Sequence, residues 1–204
     1  MINKIRNNRN LKTLIFGLAF SFSVIAMFNL VDNGSFVSLL ERLRMFTNIS
    51  NVIIFVVLVL YAFKLDDKWW FKYVAVIGLV SILMTGIIFH LFVSDGNVDL
   101  KGHVVHTINP IMYPVFYYLL ITPSIKLKYF WVTLLLPLLY FVVILALGPV
   151  TNWYPYDFMN PTLPNKDLLG VLIFCIGILL PVISLLTLLL IYLKSLLENK
   201  VKTN

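Results

Sequence analysis

Carboxylates are scarce in this chain, and none lies inside an apolar run. The nine Asp and Glu residues among 204 all fall in the tails or in the polar connections, which excludes a proton relay built on a buried acid. Cysteine is scarcer still. Cys175 stands alone, in the middle of an apolar run, which excludes an internal disulfide and points to a packing role. There is no convincing internal repeat and no low-complexity tract. Asp, Glu, Lys and Arg together make up only 12% of the chain while 60% is hydrophobic, and a water-soluble domain so composed would have too little polar surface to face solvent.

Six apolar stretches of bilayer-crossing length take up most of the sequence. They run over 14–31, 45–63, 73–92, 103–121, 130–147 and 168–192. The expectation is therefore an all-α, polytopic integral membrane protein: a single domain over 1–204, built as a bundle of six transmembrane helices. The first stretch is too long for a signal-peptide core and lacks a small-residue cleavage site, so it is read as a span.

Positive charge orients the bundle. Twelve of the sixteen Lys and Arg residues lie in the two tails and in the second and fourth connections, so the positive-inside rule predicts both termini in the cytoplasm of a multi-pass cell-membrane protein. The net charge of +7 is accounted for by this topogenic charge and by anionic headgroups, and no basic domain for nucleic acid is present. In the connections, Asn33-Gly34 marks a turn ahead of a short surface helix over 35–40, and Trp69-Trp70 beside Asp66 and Asp67 fits a membrane interface. The fifth connection, 148–167, carries Trp153, Tyr154, Tyr156, Phe158 and four prolines. It is too aromatic for a solvated tether and is expected to fold over the outer mouth as a lid, or else to form an interfacial aromatic belt.

The second span opens with Phe46-Thr47-Asn48-Ile49-Ser50-Asn51. Thr47, Ser50 and Asn51 share one helical face, and a polar stripe in a greasy helix needs partners inside the protein or on a ligand. His90 closes the third span, while His103 and His106 open the fourth, which places all three near the depth of Thr47. His103 and His106 are spaced i, i+3, and Asn109 or Pro110, Tyr113 and Tyr117 continue their stripe toward the bundle interior. Each residue also has a plainer role: Thr47 or Asn48 as a helix cap, Ser50 and Asn51 as helix–helix glue, His90 in packing, and His103 hydrated at the headgroups.

Three patterns together resemble the bacterial six-helix Pr6Pr membrane proteins. They are Phe46-Thr47-Asn48-Ile49-Ser50-Asn51, His106 with Pro110 four residues on, and Trp153-Tyr154-Pro155-Tyr156-Asp157-Phe158. More remotely the chain resembles the androgen-induced, FAR-17a-like membrane threonine hydrolases, which cleave esters of hydroxylated fatty acids. That resemblance implies Thr47 as nucleophile and His106 as base, with no cofactor, acting on membrane lipids or an amphiphilic ester. The chain departs from the bacterial pattern in having no acid after Pro114, and in having Asp157 where proline is usual.

A threonine hydroxyl attacks only if a neighbouring base takes its proton, and imidazole suits that task. Asn48, Ser50, Asn51 or Asn109 are candidate donors to the developing oxyanion. Two competing readings stay open: zinc held by His90, His103 and His106, and a non-catalytic small transporter or lipid-binding protein.

Overall fold

The computed structural model describes residues 2–31, 36–94, 96–122 and 124–202, with no strand among them. The expected Asn33-Gly34 turn lies outside the described residues. A short α1 (Ile2–Asn7) leads into α2 (Arg9–Val31), and α3 (Phe36–Arg42) precedes α4 (Phe46–Ala62). Helix α5 (Phe71–Ile88) continues as a π-helical turn over Phe89–Val93. Helices α6 (Leu100–His103) and α7 (Asn109–Leu120) are joined by another over Val104–Ile108. A 3₁₀ segment, Leu127–Leu134, runs into α8 (Leu135–Thr151). Helices α9 (Leu168–Leu172) and α10 (Leu180–Lys202) flank a third π-helical stretch, Ile173–Leu179.

Four of these rods are long and apolar enough to cross a membrane: Arg9–Val31, Phe71–Val93, Leu127–Thr151 and Leu168–Val201. The apolar α4 is shorter at 17 residues. The expected fourth span is not among the four, and its rod carries Lys101, His103, His106 and Asn109 in place of aliphatic residues. The chain is thus all-helical with several membrane-length helices.

Helix α5 is the axis of the bundle. Half of its most apolar window is buried, against about a fifth in the other three. It packs on α4 and α7, which both also meet α2, around Ile54, Leu79, Ile82, Tyr113 and Phe116. Helices α8 and α10 instead turn Leu139, Val142, Leu185 and Leu189 outward, a distribution suited to lipid rather than water.

Glycine permits the closest of these contacts. A Cβ on Gly86 would lie 2.9 Å from Pro110 Cβ and 3.2 Å from the His106 carbonyl oxygen, so the absence of a side chain there is what lets the π-helical turn carrying His106 settle against α5.

The opposite end of α7 is closed by charge. Lys194 is fully buried, and its Nζ donates to the carbonyls of Tyr117 (3.1 Å), Tyr118 (3.0 Å) and Ile121 (2.6 Å). Glu198 sits 2.9 Å from that ammonium and receives both Nη atoms of Arg6, at 2.9 and 2.6 Å. Arg6 Nε donates to the Leu119 carbonyl at 2.8 Å. Residues expected to act as topogenic charge thus satisfy the last carbonyls of a helix that ends in apolar surroundings. Replacing Lys194 by Met strands those carbonyls and leaves the carboxylate with one partner. We expect a loss of about 3 kcal/mol, the scale for breaking a buried pair, seen as a lower Tm of the detergent-solubilised protein.

Candidate functional site

The polar face at the start of α4 forms as its spacing indicates. Ser50 Oγ and Asn51 Nδ2 both donate to the Thr47 carbonyl oxygen at 2.8 Å, and Ser50 Oγ also meets Thr85 Oγ1 of α5 at 2.7 Å. Asn109 Nδ2 of α7 donates to Asn51 Oδ1 at 2.7 Å, and a longer contact of 3.4 Å runs from Asn51 Nδ2 to the Val105 carbonyl. Three helices are therefore tied behind Thr47 by a nearly satisfied network, in an interior where an unmade hydrogen bond is expensive. The same geometry occupies the amide donors: Asn51 and Asn109 face protein acceptors, and Asn48 Nδ2 donates to the Arg42 carbonyl at 2.7 Å.

Neither Thr47 nor Asn48 is the helix cap. That position is Met45, which offers no side-chain bond, and the first donors of α4 are met from elsewhere in the fold. The Phe46 N–H reaches Tyr140 Oη of α8 at 3.2 Å, and that phenol donates in turn to the Arg44 carbonyl at 2.7 Å. The Tyr156 oxygen, from the fifth connection, faces the Thr47 hydroxyl and the N–H groups of Phe46 and Thr47. Burial pushes the Tyr156 phenol above its ordinary pKa, and these donors partly offset the shift.

Beside this corner lies a cavity of about 290 Å³. Its walls are mostly apolar, with Met84, Phe141, Ile176 and Ile183 among them, and its polar edge comprises Thr47, Asn48, Thr85, His106, Tyr140 and Tyr156. An apolar chamber with a few convergent polar groups is the common form of a small-molecule site. The fifth connection supplies Tyr156, Phe158 and Met159 to it, Tyr156 and Phe158 stacking at 5.3 Å. Of the other lid candidates, Tyr154 packs on Gly148, and Trp153 lies under the Arg44 guanidinium at 5.7 Å.

Thr47 and His106 line one cavity, but no hydrogen bond joins them among the described residues. The His106 ring stacks on Phe89 at 3.6 Å and 10°, and its buried Nδ1 has no partner. His103 and His106 take different partners. A π-helix closes i→i+5 bonds and so turns less per residue than an α-helix, and His106 sits in such a turn over Val104–Ile108. His90 Nε2 and His103 Nδ1 instead meet Thr107 Oγ1, at 3.0 and 3.4 Å. No group of three His, Cys, Asp or Glu side chains able to hold a metal ion occurs among the described residues, so His90, His103 and His106 are not gathered into the arrangement the zinc reading needs.

Sequence reasoning missed Tyr140 altogether and took Tyr156 only as part of a lid. A signal existed for the first: a tyrosine inside an apolar run must find a partner for its hydroxyl. All three π-helical segments border the cavity, through Phe89 and Val93, through Val105 and His106, and through Cys175, Ile176 and Leu179. Nothing in the residue pattern marked them.

These features define a class: an all-helical protein with membrane-length helices and an apolar cavity whose polar edge is made by two tyrosines, two threonines, an asparagine and a histidine. No family model matches the chain, and comparisons with curated proteins and with solved structures found no match.

Tyr140→Phe removes the phenol that accepts from the Phe46 N–H and donates to the Arg44 carbonyl, so two hydrogen bonds are lost. A stability loss of about 1–3 kcal/mol is expected, with faster amide exchange at Phe46 while the end of α4 at Ala62 is unchanged.

Proposed function

We propose that this chain is a six-span membrane hydrolase of the cell membrane, with both termini cytoplasmic, related to the Pr6Pr proteins and acting on fatty-acid esters. The observation that carries the reading is the placement of Thr47, His106 and Tyr156 on the polar edge of an otherwise apolar cavity. An acyl chain occupies the apolar part and its ester carbonyl reaches the edge. Thr47 Oγ adds to that carbonyl as His106 takes its proton, the alcohol leaves with that proton, and water then releases the acid by the reverse sequence. With the carboxamides engaged by protein acceptors, the Tyr156 hydroxyl, which lines the cavity edge with Thr47, serves as donor to the developing oxyanion.

His106 must leave the face of Phe89 or approach Thr47 as the ester binds, since hydrogen bonds of this kind often tighten only in the complex. The missing Thr47–His106 bond also favours a second reading, a lipid-binding protein without chemistry.

The discriminating experiment labels detergent-purified protein with a fluorophosphonate probe. We expect labelling at Thr47, lost in Thr47→Ala and cut about a hundredfold or more in His106→Ala, the scale of general-base catalysis. Tyr156→Phe is expected to reduce turnover of a fatty-acyl ester about tenfold or more with little change in KM. A folded wild-type protein that takes no label and hydrolyses no ester leaves the lipid-binding reading.

A further inference from the structure

A second hollow adjoins the first. It measures about 230 Å³ and lies between the Arg44 segment and α8, with Leu43, Ile49, Val143 and Leu147 forming its walls. Tyr140 borders both spaces, so its ring is the partition between this groove and the cavity at Thr47.

The two arginines beside the groove are used differently. Arg42 Nη1 donates to the Asn29 and Leu30 carbonyls at 2.7 and 3.0 Å and so closes the end of α2. The exposed Arg44 side chain lies over the Trp153 ring at 5.7 Å, and its guanidinium makes no hydrogen bond or ion pair among the described residues. No Asp or Glu lines the groove. A guanidinium offers a rigid fork of N–H donors suited to phosphate, and stacking on an aromatic face orients that fork without using its donors. A cation at the end of an apolar channel is complementary to an anionic amphiphile.

We propose that this groove is a headgroup subsite for a glycerophospholipid, with Arg44 on its phosphate and one acyl chain along Val143 and Leu147. The inference rests on the hydrolase reading for its consequence. The second acyl chain passes Tyr140 into the main cavity, its ester arrives at Thr47, and water divides it into a free fatty acid and a lysophospholipid. The substrate class is then an acyl ester carried next to a phosphate, and Tyr140 separates the two chains.

Binding and chemistry are read separately. Native mass spectrometry of the full chain in detergent compares retention of phosphatidylglycerol with diacylglycerol of the same chains, for wild type, Thr47→Ala, Arg44→Gln and Lys101→Gln. The expected preference for phosphatidylglycerol is about tenfold or more, the scale of one charge-assisted hydrogen bond. It should persist in Thr47→Ala and Lys101→Gln and fall to near parity in Arg44→Gln, with Arg44→Lys intermediate because it keeps charge but loses the fork. An unchanged preference in Arg44→Gln of wild-type Tm overturns the subsite, as does displacement of the lipid by millimolar inorganic phosphate alone. Because Thr47→Ala carries no nucleophile, its binding result stands even if the wild type hydrolyses nothing. Conversely, ester turnover with the same KM for phosphatidylglycerol in Arg44→Gln removes the subsite and leaves the hydrolase reading intact.

Discussion

A helix that ends in apolar surroundings must have its terminal backbone groups satisfied without water, and this constraint organises the structure from one end to the other. Asp99 and Asp167 cap α6 and α9 locally, but three other helix ends borrow a side chain from a different part of the chain. Arg42 closes α2, Lys194 and Arg6 close α7, and the Tyr140 phenol receives the first donor of α4. None is the local Ser, Thr, Asn or Gly cap common in water-soluble helices. The consequence is cooperative. Lys194 reaches α7 only if α10 is docked, and Tyr140 reaches Phe46 only if α8 is docked, so the helix termini themselves specify which helices are neighbours.

That long-range capping explains what could and could not be read in advance. Six apolar lengths, the face shared by Thr47, Ser50 and Asn51, and the inward turn of Asn109, Tyr113 and Tyr117 follow from hydropathy and helical period, and all six regions are helical. The use of Lys194 and Arg6 does not follow, because a basic residue near a helix end reads equally as a topogenic charge. The separation of His103 from His106 was hidden for a sharper reason. Their i, i+3 spacing predicts a shared face only while the helix keeps its α period, and the stretch from Val104 to Ile108 is a π turn. No residue in Val104-Val105-His106-Thr107-Ile108 announces such a turn. It is stabilised by tertiary fit, through Gly86, whose missing Cβ leaves room for Pro110 and the His106 backbone.

The same geometry redistributes roles around Thr47. Residue type alone made the carboxamides natural oxyanion donors, since Asn side chains in a membrane helix invite a functional reading. Their partners show another use: Asn51 and Asn109 fix the backbone of Thr47 and the spacing of α4 and α7. Donors used for positioning are not free for a reacting atom. The cavity edge instead offers the Tyr156 phenol beside the first turn of α4, the positive end of a helix dipole, which favours negative charge whether it develops on an oxyanion or arrives on a ligand.

Hydrolysis and simple binding place opposite demands on the His106 ring. A binding protein gains from leaving the imidazole flat on Phe89, where it adds apolar contact to the cavity wall. A base must instead spend part of its time facing Thr47, and the buried Nδ1 without a partner makes the stacked arrangement carry an uncompensated polar atom. An incoming ester that offers a hydrogen bond at the ring would meet that atom. An ester that failed to engage the ring would leave the imidazole on Phe89, and the cavity would hold its acyl chain without cutting it.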